Sequence, residues 1–361
     1  MHRRSSVPAY LFLAPFLIIL AIFFVYAAMR AVWFSFTDFN LFNEAQWVGL
    51  RNYIDLFREP NFMRALQNSI AFAFIVTAVQ TFGPLLVASA LNSKARGIRG
   101  FRAAFYIPSI ASSVVTTIIF LWLFQRRGLI NHLATRFSAL SNVIFVFLAL
   151  VIVLQVAQVL VSRRRGRPAN SLEPSFILMA LLGAIAITAI LYALGIVAIR
   201  EVEPSGFIWL QTRQRFLGIP IPLIAIMVQN TFTTIPTMML LYLAALQNVS
   251  PSLYEAASLD GAGWWRQFVS ITLPAVQPIT FLVVTLGLIG TLQMFDQVAI
   301  FGDAVPLESV ITLAYFVYDR MFPGAQLPEV GLASAAALFL AAFTLLIVII
   351  QRVFIKSEAD I

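Results

Sequence analysis

The sequence has no cysteine, and in 361 residues it has two lysines, Lys94 and Lys356, and two histidines, His2 and His132. Without cysteine there are no disulfides, thiolate metal sites or cysteine nucleophiles. Two histidines so far apart cannot supply the paired histidines of a helical zinc site. A phosphate-cradling loop needs Gly-Lys-Ser/Thr. Here Lys94 follows Ser93 and Lys356 follows Ile355, so any ATP-driven work has to draw on another polypeptide. Charge of either sign is scarce, 11% of residues, against about 25% in ordinary soluble domains. Carboxylates are almost missing from the apolar runs. Only Asp296 lies near the interior of one, at the outer end of the seventh, whereas proton-coupled carriers bury such groups. No constellation of catalytic residues is recognisable.

Hydrophobic residues make up 60% of the chain. The class this implies is an all-α, polytopic membrane bundle. Apolar runs long enough to span occur at Val7–Trp33 and at about 65–91, 103–124, 140–162, 175–199, 220–246, 275–300 and 330–351, which predicts eight helices. The first run is too long for a cleaved signal peptide. The net charge of +8 could indicate nucleic acid, but the arginines sit in short loops beside apolar runs, which is a topology signal. The dense basic loops Asn92–Arg102 and Arg163–Arg167 should be cytoplasmic. With eight spans, both termini and the segment Glu255–Pro274 share that side. Arg126, Arg127, Arg136, Arg213 and Arg215 fall outside, against the trend. The stretch "WVGLRNYIDLF" (Trp47–Phe57) is amphipathic and aromatic, either an outer interfacial segment or a plain surface loop.

The polar stretch "EAASLDGAGWWRQFVSITLP" (Glu255–Pro274) interrupts two apolar runs. Ser250 is placed to cap a helix beginning at Pro251, with Ser252 and Glu255 as an alternative capping box. Glu255 is expected in the first turn, where negative charge suits the helix dipole. Gly261 should end the helix at positive φ, "WWRQFVSI" should form a second short helix, and Pro274 should open the next span. The result is a helical hairpin on the cytoplasmic surface whose small Ala256 and Ala257 admit a partner closely.

The spacing Glu255, Ala256, Ala257, then Gly261, then Ile271, Leu273 and Pro274 resembles the cytoplasmic signature of binding-protein-dependent ABC importer permeases. Seven fixed positions at about 5–10% usage each would coincide roughly once in ten million starts or more rarely. "LAPFLIILAIFF", "WFSFTDFN", "WVGLRNYIDLF", "KARGIRGFRAAFYIP", "RRGLINHLA" and "LLYLAALQNVSPSLYEAASLDGAG" are similar to the carbohydrate-uptake branch, the maltose, trehalose and glycerol-3-phosphate type. The likeness covers about 1–138 and 205–361. Residues 139–204 match nothing in it, and "FGDAVPLES" (Phe301–Ser309) replaces the usual Gly-Gly-Pro.

The resemblance implies a type I importer permease with a six-helix core plus an inserted helical pair. Its sections would be 1–64 (first helix and outer amphipathic segment), 65–138 (helices two and three), 139–204 (the insert, at the periphery and without a transport role) and 205–361 (the last three helices, with a coupling segment at 250–274). It implies that Glu255, Ala256, Ala257, Asp260, Gly261, Ile271, Leu273 and Pro274 dock onto a separate ATPase. The partners would be an ATPase dimer, a second permease, an extracytoplasmic solute-binding protein and membrane lipid, with no nucleic acid. The chain would need no cofactor of its own, because ATP binds the partner. The location would be the inner, or plasma, membrane of a bacterium or archaeon, and the solute a sugar, a polyol or a phosphorylated polyol. Gln229, Asn230, Phe232, Thr233, Thr234, Gln293, Phe295 and Asp296 are candidates for the solute pathway, or for bonding neighbouring helices. An ion-coupled carrier and a polytopic membrane enzyme are the competing classes, and the coupling segment separates both from a permease.

Overall fold

The computed structural model describes residues 7–92, 97–165, 173–201 and 206–354. The basic residue Lys94, the end of the arginine loop at 166–167, Ser205 and the tail with Lys356 lie outside the described residues. The chain forms two compact units, Met1–Leu121 with Leu210–Ile361, and Trp122–Trp209.

In the larger unit, α1 (Leu11–Ser35) leads through an extended turn into α2 (Arg51–Arg58) and α3 (Pro60–Leu91). Then come α4 (Ile98–Ile110) and α5 (Ser113–Leu123), whose last residues belong to the second unit. Long apolar helices of single-stripe character have nothing to bury against water, and the outward side chains here are overwhelmingly apolar, such as Phe12, Phe23 and Phe74. Such an exterior is at ease in hydrocarbon, where helices satisfy their own backbone.

The 103–124 span is corrected. Instead of one helix, α4 and α5 meet at 95° across Ala111 and Ser112. Pro108 removes a backbone donor from the last turn of α4, and Ala111 is extended at ψ 144. Among the described residues, seven helices are long and apolar enough to cross a membrane, and the count reaches eight only with this bent pair as one span.

The smaller unit pairs α6 (Leu129–Arg164) with α7 (Pro174–Ala193). Residue 139 lies inside α6, so the compact unit starts well before the predicted insert. The 175–199 span ends early at Ala193, where Gly195 adopts φ +71. Asn131 ties the unit together: its Nδ2 donates to the carbonyls of Arg126 (3.0 Å) and Phe207 (2.8 Å), and its Oδ1 accepts from Trp209 Nε1 (2.9 Å).

Back in the larger unit, a two-stranded ribbon, β1 (Arg215–Phe216) and β2 (Ile219–Pro220), feeds α8 (Ile221–Gln247). The polar segment 250–274 follows as α9 (Pro251–Leu259) and α10 (Trp264–Gln267). Then come α11 (Gln277–Leu292), α12 (Asp296–Phe301), α13 (Leu307–Val310), α14 (Leu313–Met321) and α15 (Val330–Phe354). The 275–300 span is thus interrupted at residues 293–295.

α3 is the axis of the unit, packing along α8 on one side and α11 on another. Its 32 residues are about 48 Å long at ~1.5 Å per residue. Around its Glu59 end, one core gathers Leu56, Phe62, Leu292, Phe316 and Leu340. Around its Leu91 end, another gathers Leu85, Tyr242, Leu246 and Phe268. α11 approaches α3 through Gly287, where a Cβ would stand 3.1 Å from Thr77 Cγ2.

The Glu59 end is closed by ion pairs. Arg320 Nη2 meets Glu59 Oε1 at 2.7 Å, Arg320 Nη1 meets Glu329 Oε2 at 3.0 Å, and Arg64 meets Glu308 at 3.0 Å. The two ends of α3 therefore differ in kind: this one carries the ion pairs, and the other carries the polar segment 250–274.

Candidate functional site

At the Leu91 end of α3, Phe268 and Thr272 are buried in the bundle, and Tyr254 Oη shares a 3.0 Å hydrogen bond with Thr272 Oγ1. These contacts anchor a segment that is otherwise open. Ser250 holds the N-cap position, but its hydroxyl pairs with Ser252 Oγ (2.7 Å) and caps no backbone donor. Neither predicted cap forms as drawn. Glu255 is the fifth helical residue, and the first turn carries no acidic residue, so the dipole reason for that glutamate is corrected.

The end of α9 follows the expected glycine logic in full. Gly261 has φ +73, its N–H donates to Ser258 O (3.1 Å), and the N–H of Ala262 donates to Ala257 O (2.9 Å). This is a Schellman termination, with glycine at the left-handed position. Gln267 Nε2 then clamps the second helix to the first, donating to Ser258 Oγ (2.9 Å) and Ala262 O (2.8 Å).

α10 passes into a π-helical turn, Phe268–Thr272, and a last turn, Leu273–Ala275. The next span starts at Gln277 with Pro278, so the opening role predicted for Pro274 is corrected to Pro278. Glu255, Ala256, Asp260, Gly261, Leu273 and Pro274 are exposed, and Ala257 and Ile271 are half-buried. Leu259 is 90% exposed, Trp264 61% and Trp265 66%, an apolar face on an exposed polar hairpin.

A second feature lies midway along the bundle. A cavity of about 320 Å³ is enclosed by the α4–α5 elbow, the middle of α8 and the start of α12. The elbow brings Ser109, Ser113 and Thr116, α8 brings Asn230, Thr233, Thr234 and Thr237, and α12 brings Asp296 and Gln297. Four of the predicted pathway residues of the sequence, Asn230, Thr233, Thr234 and Asp296, thus meet. Gln80 Nε2 fixes this wall, donating to Asn230 Oδ1 (2.9 Å) and Thr234 Oγ1 (2.6 Å). Ser113 Oγ donates to Asp296 Oδ2.

The remaining candidates lie elsewhere. Gln229 is fully buried and donates to Thr117 Oγ1 (2.5 Å). Phe232 leans on Phe120 with ring centroids 5.5 Å apart, and Phe295 packs against Tyr318 at 4.9 Å. Gln293 ends α11 and is exposed. No aromatic ring lines the cavity among the described residues. Ser113, Thr116 and Gln297 were not singled out in the sequence. Ser113 and Thr116 reach the cavity only because of the elbow, which periodicity does not show.

No protein-family model matches the chain. It is 26% identical over 326 residues to the lactose transport system permease protein LacF of Rhizobium radiobacter, covering 89% of this chain and 86% of that protein. It is 25% identical over 360 residues to the sn-glycerol-3-phosphate transport system permease protein UgpA of Escherichia coli (strain UTI89 / UPEC), covering 98% and 96%. Among solved structures, a chain of a bacterial ABC transporter involved in the import of the acidic polysaccharide alginate superposes with TM-score 0.65 at 19% identity, over 97% of this chain and 96% of that one. A chain of a bacterial alginate ABC transporter in complex with an alginate pentasaccharide-bound periplasmic protein superposes with TM-score 0.62 at 18% identity, over 98% of this chain and 96% of that one. At such identity the structural likeness carries the fold alone.

Proposed function

We infer that this chain is the transmembrane permease subunit of an ATP-binding cassette importer, forming half of a translocation pathway for a sugar or polyol. The full-length likeness to permease subunits of sugar and glycerol-3-phosphate importers supports the class. The observation that carries the mechanism is the anchored, exposed hairpin at one end of the bundle. Phe268 and Thr272 hold it to the core, while Leu259, Trp264 and Trp265 stand out from it. Desolvating such side chains against a partner is favourable. A rigid handle of this kind transmits a partner's movement to α8 and α11, between which it is strung.

The partner is a pair of ATPase subunits, and docking involves Glu255, Ala256, Ala257, Asp260, Gly261, Ile271, Leu273 and Pro274. A second permease completes the pathway, and an extracytoplasmic binding protein delivers the solute to the ion-paired face at the other end of α3. The chain sits in the inner or plasma membrane with both termini in the cytoplasm. The solute passes the cavity between the elbow, α8 and α12, where Asn230, Thr233 and Asp296 touch it.

Two measurements test this reading. Co-expressed with the ATPase of its own system, the chain should co-purify with it, and alone it should hydrolyse no ATP. Because the chain has no native cysteine, single introduced cysteines report sidedness cleanly. Position 263 should label only from the cytoplasm and position 45 only from outside. Labelling of 263 from outside would sink the coupling role.

A further inference from the structure

We propose that the solute is an uncharged polyhydroxylated molecule, and that Asp296 selects it by accepting hydrogen bonds from its hydroxyls while turning away phosphorylated and uronic-acid sugars. This rests on the permease reading and narrows its substrate class.

The relatives do not decide the matter, since one is named for lactose, which is neutral, and another for a phosphorylated polyol. The cavity does. Its lining offers six hydroxyls, two amides and one charge, Asp296, with no basic side chain among the described residues. A site for phosphate or carboxylate recruits arginine or lysine to meet the charge. Here a solute anion would instead meet a carboxylate. At about 4 Å and a protein-like dielectric, two like charges disfavour binding roughly a thousandfold.

The hydrogen-bonding groups point the same way. Ser113 donates to one carboxylate oxygen of Asp296, Oδ2, and Asp296 lines the cavity. A carboxylate needs donors, which sugar hydroxyls supply. The Asn230 Oδ1 accepts from Gln80, and the same amide carries a donor, Nδ2. A hydroxyl both donates and accepts, and it satisfies both walls at once. With a volume of 320 Å³ the cavity is at the lower end of ligand sites, about 300–1,000 Å³, which suits one part of a sugar at a time.

The experiment is equilibrium binding of radiolabelled solutes to the assembled permease–ATPase complex in detergent, without the binding protein. Lactose, an arabinose oligomer and glycerol are compared with glycerol 3-phosphate, galacturonate and glucosamine. A neutral compound should bind and the two anions should not. Asp296→Asn should weaken that binding about tenfold, the usual scale for a hydrogen bond to a charged group. Asp296→Ala should weaken it in the same direction and serves if Asp296→Asn does not assemble. Tighter binding of either anion or of glucosamine than of every neutral compound overturns the proposal. So does neutral binding that neither substitution changes, or no neutral binding at all by a complex that retains its ATPase. Failure of the ATPase to assemble with the chain would overturn the permease reading instead.

Discussion

Gly261→Val should leave the permease in the membrane and abolish ATP-driven uptake. The residue sits at φ +73, and a Cβ built there meets nothing within 4 Å. The penalty is therefore conformational and not a clash. A β-branched side chain at left-handed φ costs about 2 kcal/mol or more, which at ~1.4 kcal/mol per tenfold lowers the aligned population roughly 30-fold. The Schellman bonds from Gly261 and Ala262 back to Ser258 and Ala257 would be lost first. The Gln267 clamp, which needs Ala262 O and Ser258 Oγ side by side, would follow. Trp264 and Trp265 would then point elsewhere, although the bundle itself is untouched. Uptake into vesicles and ATPase co-purification read the effect. Gly261→Asn is the control, because asparagine tolerates left-handed φ. It should keep most of the uptake. If asparagine and valine are equally inactive, the conformation of the turn is not what couples.

That prediction was open to the sequence because local chain chemistry dictates it. A glycine after a short helix of good formers demands a left-handed termination wherever the hairpin ends up. The same local reasoning went astray where position along the helix mattered. Pro251 starts α9, which puts Glu255 in the second turn and removes its dipole role. Pro274 falls inside a helical turn, while Pro278, four residues later, opens the span. A proline suits either place equally, so only the tertiary position of Phe268 and Val276 in the core decides between them.

The cavity was legible only in part, for a geometric reason. Asn230, Thr233 and Thr234 share one helical face by spacing, so finding them together requires nothing but the helix. Gln229, one residue earlier, is carried around to Thr117. Composition could not tell it from Asn230. Phe232 and Phe295 looked like sugar platforms because they neighbour polar residues in sequence, yet their rings pack on Phe120 and Tyr318. Ser113 was hidden by reading 103–124 as one straight span. Only the 95° elbow at Ala111 and Ser112 sets Ser113 against Asp296.

Gly331→Val should unfold the Glu59 end of the larger unit. Here, unlike at Gly261, the space is closed: a Cβ at Gly331 would lie 2.1 Å from Thr37 O and 2.9 Å from Asn52 Nδ2. The first of these is backbone and cannot swing aside. The motifs "WFSFTDFN" and "WVGLRNYIDLF" explain why it is held so firmly. Asn52 Nδ2 donates to Ser35 O (2.9 Å) and Thr37 O (2.8 Å), two residues with no exposure at all. Tyr53 Oη bonds Ser35 Oγ at 2.9 Å, Phe36 stacks on Trp47 at 5.2 Å, and the N–H of Gly331 itself donates to Phe39 O (3.0 Å). What reads in the sequence as an interfacial amphipathic stretch is thus also the clasp that ends α1 and seats it on α15. Valine must push residues 37–39 away, and each buried group left unpaired costs about 1–3 kcal/mol. Three such losses are worth about 3 kcal/mol or more, a large share of typical protein stability. Asn52→Leu should act in the same direction with about two-thirds of the effect, since it removes two of those bonds and adds no clash. Gly49→Ala, at φ +62 with open space around it, should cost only about 1 kcal/mol. Thermal melting in detergent and protease cleavage between residues 36 and 50 rank the three variants. A Gly331→Val protein that melts with the wild type and resists cleavage would show that the clasp does not hold this end of the bundle together.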